Sequence, residues 1–534
     1  MKKFLILLLA AVLAMGIFSG CGEKVELVST HPEVVDMSGN GPLLKKEYQG
    51  TFKIKMMAPN YYTMDIDWAN NLFFKKMKEE TGVDFDYQIF DWGTYGTKKP
   101  LAIASDSTRP DIFFRAMFDN QEQIKWGEQG FLRPLQQYFD EYMPNFKKLL
   151  EADPMIEKLI TAPDGNIYCL PTLGKKDEYK VLGIPFINQK WLDNLGLEMP
   201  KNPEELYQVL KAFKEQDANG NGDKTDEIPL YIAGGYEESF LFSFFGIDNL
   251  NYIQIDKEGK LEFGPGTQRY KECLAWLAKL NKEGLINENY LSKTVQEKWT
   301  VGQENGGDKI GVFMDYAAYP VVGYNASNNY VALDTVANDY FGRAMWTSMY
   351  PVEKGMFAIT NVCEYPELMC AWVDKLYAEP YNINALIGEE GVAWKWNEDG
   401  TWSYIIPEAE RADWMKVSTI QHGGGLPYLT PDREFFMKSS DPVTVATYAA
   451  EQAIADIGFE GFPRIGLADT RAIKQVSVLY ADISKYIDVL KADVIAGKKD
   501  ITTAYSDYDL KYRQLGVDGY CKLYQDAYDL YINA

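Results

Sequence analysis

A short segment that begins at Asp217 places oxygen-bearing side chains at the spacing of a calcium-binding loop. Oxygen donors at the first, third and fifth positions, with glycine at the sixth, are typical of an EF-hand-type loop, because the alternation points successive oxygens toward one centre. Gly222 permits the sharp turn. The predicted ligands are Asp217, Asn219, Asn221, Asp223 (through its carbonyl oxygen), Asp226 and Glu227.

The segment differs from the loops of calmodulin-like sensors. Position twelve holds Ile228 rather than glutamate, and a strand is predicted over 229–232, where an EF-hand has its second helix. Either Asp226 or Glu227 could complete the oxygen shell. Since every predicted ligand comes from one segment, the calcium ion would stabilise the fold rather than catalyse a reaction. The alternative is a solvated Asn/Gly turn that binds no metal.

The first residues have the layout of an export signal. Lys2 and Lys3 precede an apolar stretch over 4–16, and small residues lead into Cys21. This layout predicts a signal peptide over 1–20, and the small residues before the cysteine resemble the lipobox of bacterial lipoproteins. We therefore expect lipidation of Cys21, a lipid-anchored linker over 21–50, and export to the outer face of the cytoplasmic membrane. The alternative is an ordinary cleaved signal with an incidental cysteine.

Composition narrows the classes of function. The 534 residues carry 77 Asp and Glu against 54 Lys and Arg, a formal charge of −23 that disfavours general nucleic-acid binding. The two histidines leave little room for a histidine-based zinc site or a Ser-His-Asp triad. Aromatic residues reach 14%, so some of them could face a ligand rather than the core. A chain of this length predicts two or more lobes.

Strands and helices alternate along the body of the chain. Hydrophobic periodicity predicts strands over 51–57, 83–90 and 110–114, separated by helices over 67–78 and 95–105. This β-α-β-α-β order is typical of a mostly parallel sheet with helices on both faces.

Several phrases of the sequence are similar to those of the extracellular solute-binding proteins of the family 1 type, the oligosaccharide-binding lipoproteins of bacterial ABC importers. The phrases are LAIAS (101–105), PDI (110–112), GFLRPL (130–135), ITAPDG (160–165), GIPFIN (183–188) before WL (191–192), and GVD (516–518). Together with the lipobox-like segment and the calcium-type loop, they extend the resemblance over most of the mature chain.

The resemblance implies an α/β protein with the two-lobe, periplasmic-binding-protein-like (type 2) fold, in which a hinge closes the lobes on a ligand in the cleft between them. Lobe one would hold 51–165 and 350–435, and lobe two would hold 170–345 and 436–534. Closure would present an oligosaccharide to the permease of an ABC importer, so no catalytic residue is required. We expect the chain to act as a monomer.

Sugars offer apolar C–H faces and a rim of hydroxyls, which aromatic rings and polar side chains match. Ligands of open α/β sheets lie beyond the carboxyl ends of the strands, so the candidate contacts are sought there. The candidates are Asn60, Tyr61, Trp68, Asp91, Trp92 and Arg115 in lobe one, Asn188, Asp315, Tyr316 and Tyr319 in lobe two, and Trp346, Trp394, Trp396 and Tyr428 in segments rich in glycine and polar residues. For each aromatic residue the alternative is packing in the core.

Two other classes of function stay open. A secreted glycoside hydrolase would also line its cleft with carboxylates and aromatic rings, although no motif singles out a catalytic pair. A binding protein for peptides or other non-sugar solutes would have the same fold. The net charge disfavours an anionic ligand unless a local pocket of Arg or Lys overrides it.

Overall fold

The computed structural model describes residues 27–60, 66–175, 180–181, 183–248, 252–420, 425–459, 461–463 and 470–532. The predicted lipidation site Cys21 and the candidate contact Tyr61 lie outside these residues. The chain divides into two units. The first contains the described residues up to Thr172, with Glu353–Leu386 and Ala412–Tyr428; the second contains the described residues of Leu173–Val352, Ile387–Arg411 and Leu429–Ala534.

Short strands alternate with helices throughout the described residues. The strands are β1 (Ile54–Asn60), β2 (Phe85–Asp91), β3 (Ile112–Phe114), β4 (Leu170–Leu173), β5 (Lys180–Val181), β6 (Ile184–Asn188), β7 (Ile228–Tyr231), β8 (Ile253–Ile255), β9 (Leu261–Phe263), β10 (Ile310–Asp315), β11 (Tyr330–Ala332), β12 (Ala337–Asn338), β13 (Arg343–Ala344), β14 (Trp346–Met349), β15 (Val352–Ile359), β16 (Trp394–Trp396), β17 (Trp402–Tyr404) and β18 (Gly458–Phe459). The α-helices are α1 (Leu72–Thr81), α2 (Trp92–Ala104), α3 (Asn120–Glu128), α4 (Phe139–Tyr142), α5 (Pro144–Ala152), α6 (Pro154–Ile160), α7 (Gln189–Leu195), α8 (Pro203–Glu215), α9 (Ser239–Ser243), α10 (Gln268–Lys282), α11 (Val295–Gly302), α12 (Tyr319–Val322), α13 (Pro366–Asp374), α14 (Tyr381–Ile387), α15 (Glu408–Ser418), α16 (Arg433–Met437), α17 (Pro442–Asp456), α18 (Thr470–Ile495), α19 (Ile501–Ala504), α20 (Tyr508–Gln514) and α21 (Val517–Ile532). None of these helices combines the length and the hydropathy that a bilayer crossing requires.

The first unit is built on a five-stranded sheet with the order β2-β1-β3-β15-β4. Strands β1, β2 and β3 are parallel, and β15 is antiparallel to β3. The predicted β-α-β-α-β order is present, because α1 connects β1 to β2 and α2 connects β2 to β3. Helix α1 begins later than predicted, since the side chain of Asn71 accepts a hydrogen bond from Phe73 N at 3.0 Å and caps the helix.

The described part of the predicted linker, 27–50, is folded onto the first unit rather than extending away from it. Val28 N donates to the carbonyl of Asn361 at 3.1 Å, and the buried Arg133 donates to the carbonyl of Val28 at 3.0 Å. Val34 and Leu44 are 2% and 1% exposed. These apolar side chains belong to the core, which explains why a segment of polar and weakly patterned composition is nevertheless ordered.

The second unit contains a four-stranded sheet with the order β11-β6-β10-β7. Strand β10 is parallel to β7 and antiparallel to β6, so this sheet is mixed. Every residue of β10 and of β6 is buried, because helices cover the sheet. Among them, α8 is capped by Asn202, whose side chain accepts a hydrogen bond from Glu205 N at 2.9 Å.

Residues 387–411 and 429–435, which sequence analysis placed in lobe one, lie in the second unit. They contain the hairpin of β16 and β17, in which Trp394 is paired with Tyr404. Trp402 Nε1 donates to the carbonyl of Phe435 at 2.7 Å, and the two rings stack at 5.1 Å. Packing against α16 therefore attaches the hairpin to the second unit.

Candidate functional site

The first unit has a cavity of about 420 Å³ at the carboxyl ends of β1 and β2. The parallel register of the two strands sets Asn60 beside Asp91, the last residue of each strand. Tyr87 and Phe90 line the cavity together with Asp67 and Asp91, and among the described residues that line it none is Lys or Arg. Rings beside an amide and carboxylates suit a ligand that has apolar faces and many hydroxyls.

Trp68 supports this cavity from the interior of the first unit. Its ring is 2% exposed and packs against Phe74 and Phe114. Trp68 Nε1 donates to Asn60 Oδ1 at 2.6 Å, and Asn60 Nδ2 donates to the carbonyl of Ile66 at 3.4 Å. The two bonds fix the orientation of the Asn60 amide, so Trp68 positions a lining side chain while lining the cavity itself.

Trp92 stands directly after the exposed Asp91 and is the first residue of α2. Its side chain is half-buried. Thr94, two residues further along this first turn, lines the cavity. The end of β2 and the beginning of α2 therefore bring an aromatic ring, a carboxylate and a hydroxyl to the same edge of the sheet.

Two further candidates in the first unit, like Trp68, lie in its interior. Arg115 has no exposed surface, and its backbone adopts the left-handed region at φ 55°, an uncommon conformation for a residue other than glycine. Its guanidinium donates to the carbonyl of Ile420 at 3.5 Å. Tyr428 is 4% exposed. In this structure both side chains serve packing within the unit.

In the second unit, the end of β10 carries two of the candidates on its surface. Tyr316 and Tyr319 are 56% and 48% exposed. Asp315, just before them, is buried and forms an ion pair with Lys298 at 3.0 Å. Asp315 Oδ1 also accepts a hydrogen bond from Tyr316 N at 2.8 Å, so the carboxylate holds the loop that presents the tyrosines.

Asn188 is buried and used as a helix cap. Its Oδ1 accepts a hydrogen bond from Trp191 N at 3.2 Å, and its Nδ2 donates to Asp308 at 3.2 Å. Trp346 and Trp394 are 1% and 4% exposed. These three side chains are therefore interior groups of the second unit.

Trp396, by contrast, is 45% exposed. Its ring meets those of Trp394 and Phe435 edge to face, at 5.6 and 6.0 Å. The two tryptophans are two residues apart on β16 and therefore lie on the same face of the hairpin. Trp394 is buried because its ring also packs against that of Trp402, at 5.8 Å.

A cluster that sequence analysis missed lies around Arg411 in the second unit. The guanidinium carbon of Arg411 is 3.8 Å from the ring centre of Tyr404, and Arg411 Nη1 is 3.7 Å from Asp441 Oδ2. Asp441 also accepts hydrogen bonds from Tyr324 and, at 2.5 Å, from Thr444 Oγ1. In the sequence, Asp441 before Pro442 indicates a helix start, but nothing marks Arg411.

The segment after α8 folds as a series of tight turns. Asp217 Oδ2 accepts a hydrogen bond from Gly222 N at 2.8 Å, Asn219 Oδ1 one from Asn221 N at 2.9 Å, and Asn221 Oδ1 one from Asp223 N at 2.7 Å. Gly222 has φ 92°, a conformation that favours glycine. The turns wind the oxygen-bearing side chains into a small loop.

Two oxygens of this loop are buried and have no hydrogen-bond partner among the described residues: Asp217 Oδ1 and Glu227 Oε2. Burial also raises the pKa of Glu227, and the neighbouring Asp226 raises it further. Buried oxygens without donors fit a hard cation, which prefers oxygen ligands. Asp217 and Glu227 would hold calcium together with the amide oxygens of Asn219 and Asn221.

The carboxylates alone do not form a metal centre. In the described part of the chain, no three His, Cys, Asp or Glu side chains converge as a metal-binding group. The carboxylate of Asp226 accepts hydrogen bonds from Asn219 Nδ2 at 3.0 Å, Asn221 Nδ2 at 2.8 Å and Asn305 Nδ2 at 2.6 Å. Amide and main-chain oxygens would therefore have to complete any shell.

The chain is similar to curated bacterial binding proteins. It is 27% identical to the fructooligosaccharide ABC transporter substrate-binding protein FusA of Streptococcus pneumoniae, over 97% of this chain and 96% of FusA. It is 25% identical to the polygalacturonan/rhamnogalacturonan-binding protein YtcQ of Bacillus subtilis, over 83% of this chain and 84% of YtcQ.

The fold is similar to that of a solved relative. An EF-hand mutant of FusA from S. pneumoniae, in complex with fructo-nystose, superposes with a TM-score of 0.76 at 25% identity, over 90% of this chain and all of that one. The predicted α/β, two-lobe periplasmic-binding-protein-like fold class is thereby confirmed. The sequence profile of the bacterial extracellular solute-binding proteins matches residues 63–379, more than half of the chain. The chain belongs to the bacterial extracellular solute-binding protein family.

Proposed function

We propose that this protein is the substrate-binding subunit of a carbohydrate ABC importer, which captures an oligosaccharide and delivers it to the permease. The cavity at the carboxyl ends of β1 and β2 is the observation that carries the proposal. Its lining of about 420 Å³ includes Asn60, Asp91, Tyr87 and Phe90, and this size and mixture of polar and aromatic residues suit a sugar.

We assign ligand contact in the first unit to Asn60, Asp91 and Trp92, and in the second unit to the exposed Tyr316, Tyr319 and Trp396. Arg115, Asn188, Trp346, Trp394 and Tyr428 would act as support, because their side chains lie in the interior. The two units would correspond to the two lobes. Membership of an extracellular family supports export, and we propose that a lipid on Cys21 holds the monomer at the outer face of the cytoplasmic membrane.

We further propose that calcium in the loop from Asp217 to Glu227 stabilises the second unit. The two buried oxygens without hydrogen-bond partners support this role, as does the EF-hand named in the solved relative. When bound, calcium would supply positive charge that compensates the carboxylates of the loop. The chain itself supplies the turns that bring the oxygens together.

A thermal-shift screen of the exported chain against oligosaccharides, with release of reducing ends measured in parallel, tests the proposal. We expect one class of oligosaccharide to raise the melting temperature while remaining intact. Release of sugar ends would instead identify a glycoside hydrolase. Stabilisation by peptides alone would identify a different solute.

Asp91→Ala tests the cavity in particular. Removing a carboxylate that accepts sugar hydroxyls should weaken binding by about tenfold or more, since hydrogen bonds to charged groups contribute about 1.5–3 kcal/mol. Asp86→Ala is the matched control, because Asp86 is exposed on the same strand but does not line the cavity. Equal affinities of the two variants would remove Asp91 from the site.

A further inference from the structure

Residues 27–50, which we call the N-terminal strap, are bound at the amino ends of the parallel strands of the first unit. Strand β15 is antiparallel to β3, and its last residue, Ile359, lies opposite Ile112, the first residue of β3. The segment that follows β15 therefore lies at the amino ends of the strands, and it accepts hydrogen bonds from the start of the strap. Farther along the strap, Leu44 N donates to the carbonyl of Thr81 at 2.8 Å, shortly before β2 begins.

Val28 is held through both polar groups of its main chain. Its N–H donates to the carbonyl of Asn361 at 3.1 Å, and its carbonyl accepts a hydrogen bond from Arg133 Nη2 at 3.0 Å. Arg133 is 2% exposed and also donates to the carbonyls of Thr360, Asn361 and Cys363. One buried cation therefore joins the strap to the segment after β15, through hydrogen bonds of the stronger, charge-assisted kind.

The rest of the strap closes on itself. Asp36 N donates to the carbonyl of Leu43 at 2.8 Å, and Lys45 N donates to that of Val34 at 3.0 Å. The side chain of Val34 is buried. Between these bonds the chain makes an exposed turn at 37–41. The strap is therefore part of the folded unit, and the turn at 37–41 lies outside the bonds that attach it.

The cavity lies at the opposite edge of the same sheet. It is lined by the last residues of β1 and β2, whereas the strap is bound at the amino ends. Strand β1 has seven residues, so the two edges are separated by about 20 Å at a rise of about 3.3 Å per residue. The chain therefore enters the first unit on the side away from the cavity.

The attachment of Val28 limits the reach of the proposed lipid anchor. Val28 is seven residues after Cys21, and an extended chain spans at most about 3.6 Å per residue, so the two residues are no more than about 25 Å apart. A spacer that ran as far as Ile54, the first residue of β1, would have 33 residues and a reach of about 120 Å. The strap shortens the tether about fivefold.

We infer that a lipid on Cys21 holds the first unit by the amino edge of its sheet, within about 25 Å of the phospholipid bilayer, with the cavity at the far edge. This inference rests on the proposed lipid anchor and adds which surface of the unit faces the membrane. Because the proposed permease lies in the same bilayer, the short tether also raises the effective concentration at which the two proteins meet.

Energy transfer from a fluorophore on the lipidated chain to rhodamine-labelled lipid, in vesicles of phosphatidylcholine and phosphatidylglycerol, tests the inference. Leu72→Cys and Glu79→Cys place the fluorophore at exposed positions near the two ends of α1. Cys521, which is only partly buried, is replaced by serine in both variants. The two positions share one face of the helix and are about 10 Å apart along its axis. Since α1 ends at Thr81 beside the strap, we expect transfer at position 79 to exceed transfer at position 72 about 1.5-fold.

Two insertions of the same twenty Gly and Ser residues separate the role of the strap from that of the tether. Inserted after Gly22, they lengthen the tether to a reach of about 100 Å, and the difference between the two fluorophore positions should disappear. Inserted after Gly39, in the exposed turn, they enlarge a loop of the attached strap and should leave the difference unchanged. Thermal unfolding checks that each variant is folded.

Each other outcome identifies what is wrong. Loss of the difference in both insertion variants would show that the strap is detached, and equal transfer at positions 72 and 79 without an insertion would show that the amino edge does not face the bilayer. Either result would overturn the inference and leave the anchor in place. Mass spectrometry that finds no lipid on Cys21 would overturn the proposed anchor together with the inference.

Discussion

Replacing the buried Lys298 by methionine is expected to destabilise the second unit strongly, because two carboxylates lose their cation in the interior. Lys298 Nζ lies 2.7 Å from Glu237 Oε1 and 3.0 Å from Asp315 Oδ2, and it also donates to the carbonyl of Met314. None of the three charged side chains is more than 8% exposed. Methionine retains a flexible apolar stem of similar length but carries no charge.

The expected loss is about 3–5 kcal/mol of the free energy of unfolding, the usual cost of removing one partner from a buried ion pair. Each carboxylate keeps other donors. Ala233 N lies 2.9 Å from Glu237 Oε2. Trp299 Nε1 and Tyr316 N each lie 2.8 Å from an oxygen of Asp315. These remaining hydrogen bonds contribute about 1 kcal/mol each, which keeps the loss within that range.

The loss should also depend on pH. Burial raises the pKa of Glu237 above its ordinary value of 4.5, and Lys298 lowers it. Without Lys298 the pKa rises further, so the folded state binds a proton that the unfolded state has released. Stability then increases as the pH falls, and the deficit of the variant is larger at pH 7 than at pH 5.

Urea unfolding followed by tryptophan fluorescence at both pH values measures these quantities. Lys474→Met replaces an exposed lysine on α18 and should change the free energy of unfolding by less than about 0.5 kcal/mol. Adding Glu237→Gln to Lys298→Met should recover part of the loss. A deficit below about 1 kcal/mol, or one that is equal at the two pH values, would refute the ion-pair argument.

Three further changes test other parts of the structure. Chelation by EDTA should lower the melting temperature and calcium should restore it. A calcium concentration of 100 times the dissociation constant would stabilise the fold by about 2.7 kcal/mol. Asp217→Ala should abolish this response, and a melting temperature that EDTA leaves unchanged would contradict the calcium site. Burial raises the pKa of Asp374 from 3.8 to about 6. As the pH rises between these values, ionisation of this carboxyl should therefore lower the free energy of unfolding of the wild type by about 3 kcal/mol. The free energy of unfolding of Asp374→Asn, measured with urea, should lack this contribution to the pH dependence. Val28→Pro removes the N–H that bonds to Asn361 and should accelerate hydrogen exchange of the neighbouring amides without changing exchange in the sheet; equally fast exchange in the wild type would show that 27–50 is not attached.

Local patterns were sufficient to predict the alternating elements of the first unit. The apolar alternation that predicts a strand over 51–57 corresponds to β1 (Ile54–Asn60), and the predicted run over 83–90 corresponds to β2 (Phe85–Asp91). That residues 387–411 belong to the second unit could not be predicted in this way. It depends on Trp402 stacking against Phe435, a contact between residues far apart in the sequence, for which neither segment carries a signal.

The candidate site was predictable in its position but not in its side-chain detail. Asn60 and Asp91 follow parallel strands, and topology alone sets them together at one edge of the sheet. Burial was not predictable, because a tryptophan in a polar segment can pack inward, as Trp346 does, or remain exposed, as Trp396 does. Arg411 was missed because its importance comes from two partners that only the tertiary fold supplies.

Asp315 shows why a residue that follows a strand need not touch the ligand itself. It stands at the end of β10, where α/β proteins commonly bind small molecules, but both of its oxygens already have partners. Oδ2 contacts Lys298 and Trp299, and Oδ1 accepts a hydrogen bond from Tyr316 N. A hydroxyl that displaced these groups would leave Lys298 with less compensation in the interior, at a cost of several kcal/mol. The carboxylate therefore acts through the main chain of Tyr316, and the sequence shows the strand end but not the buried lysine that decides this role.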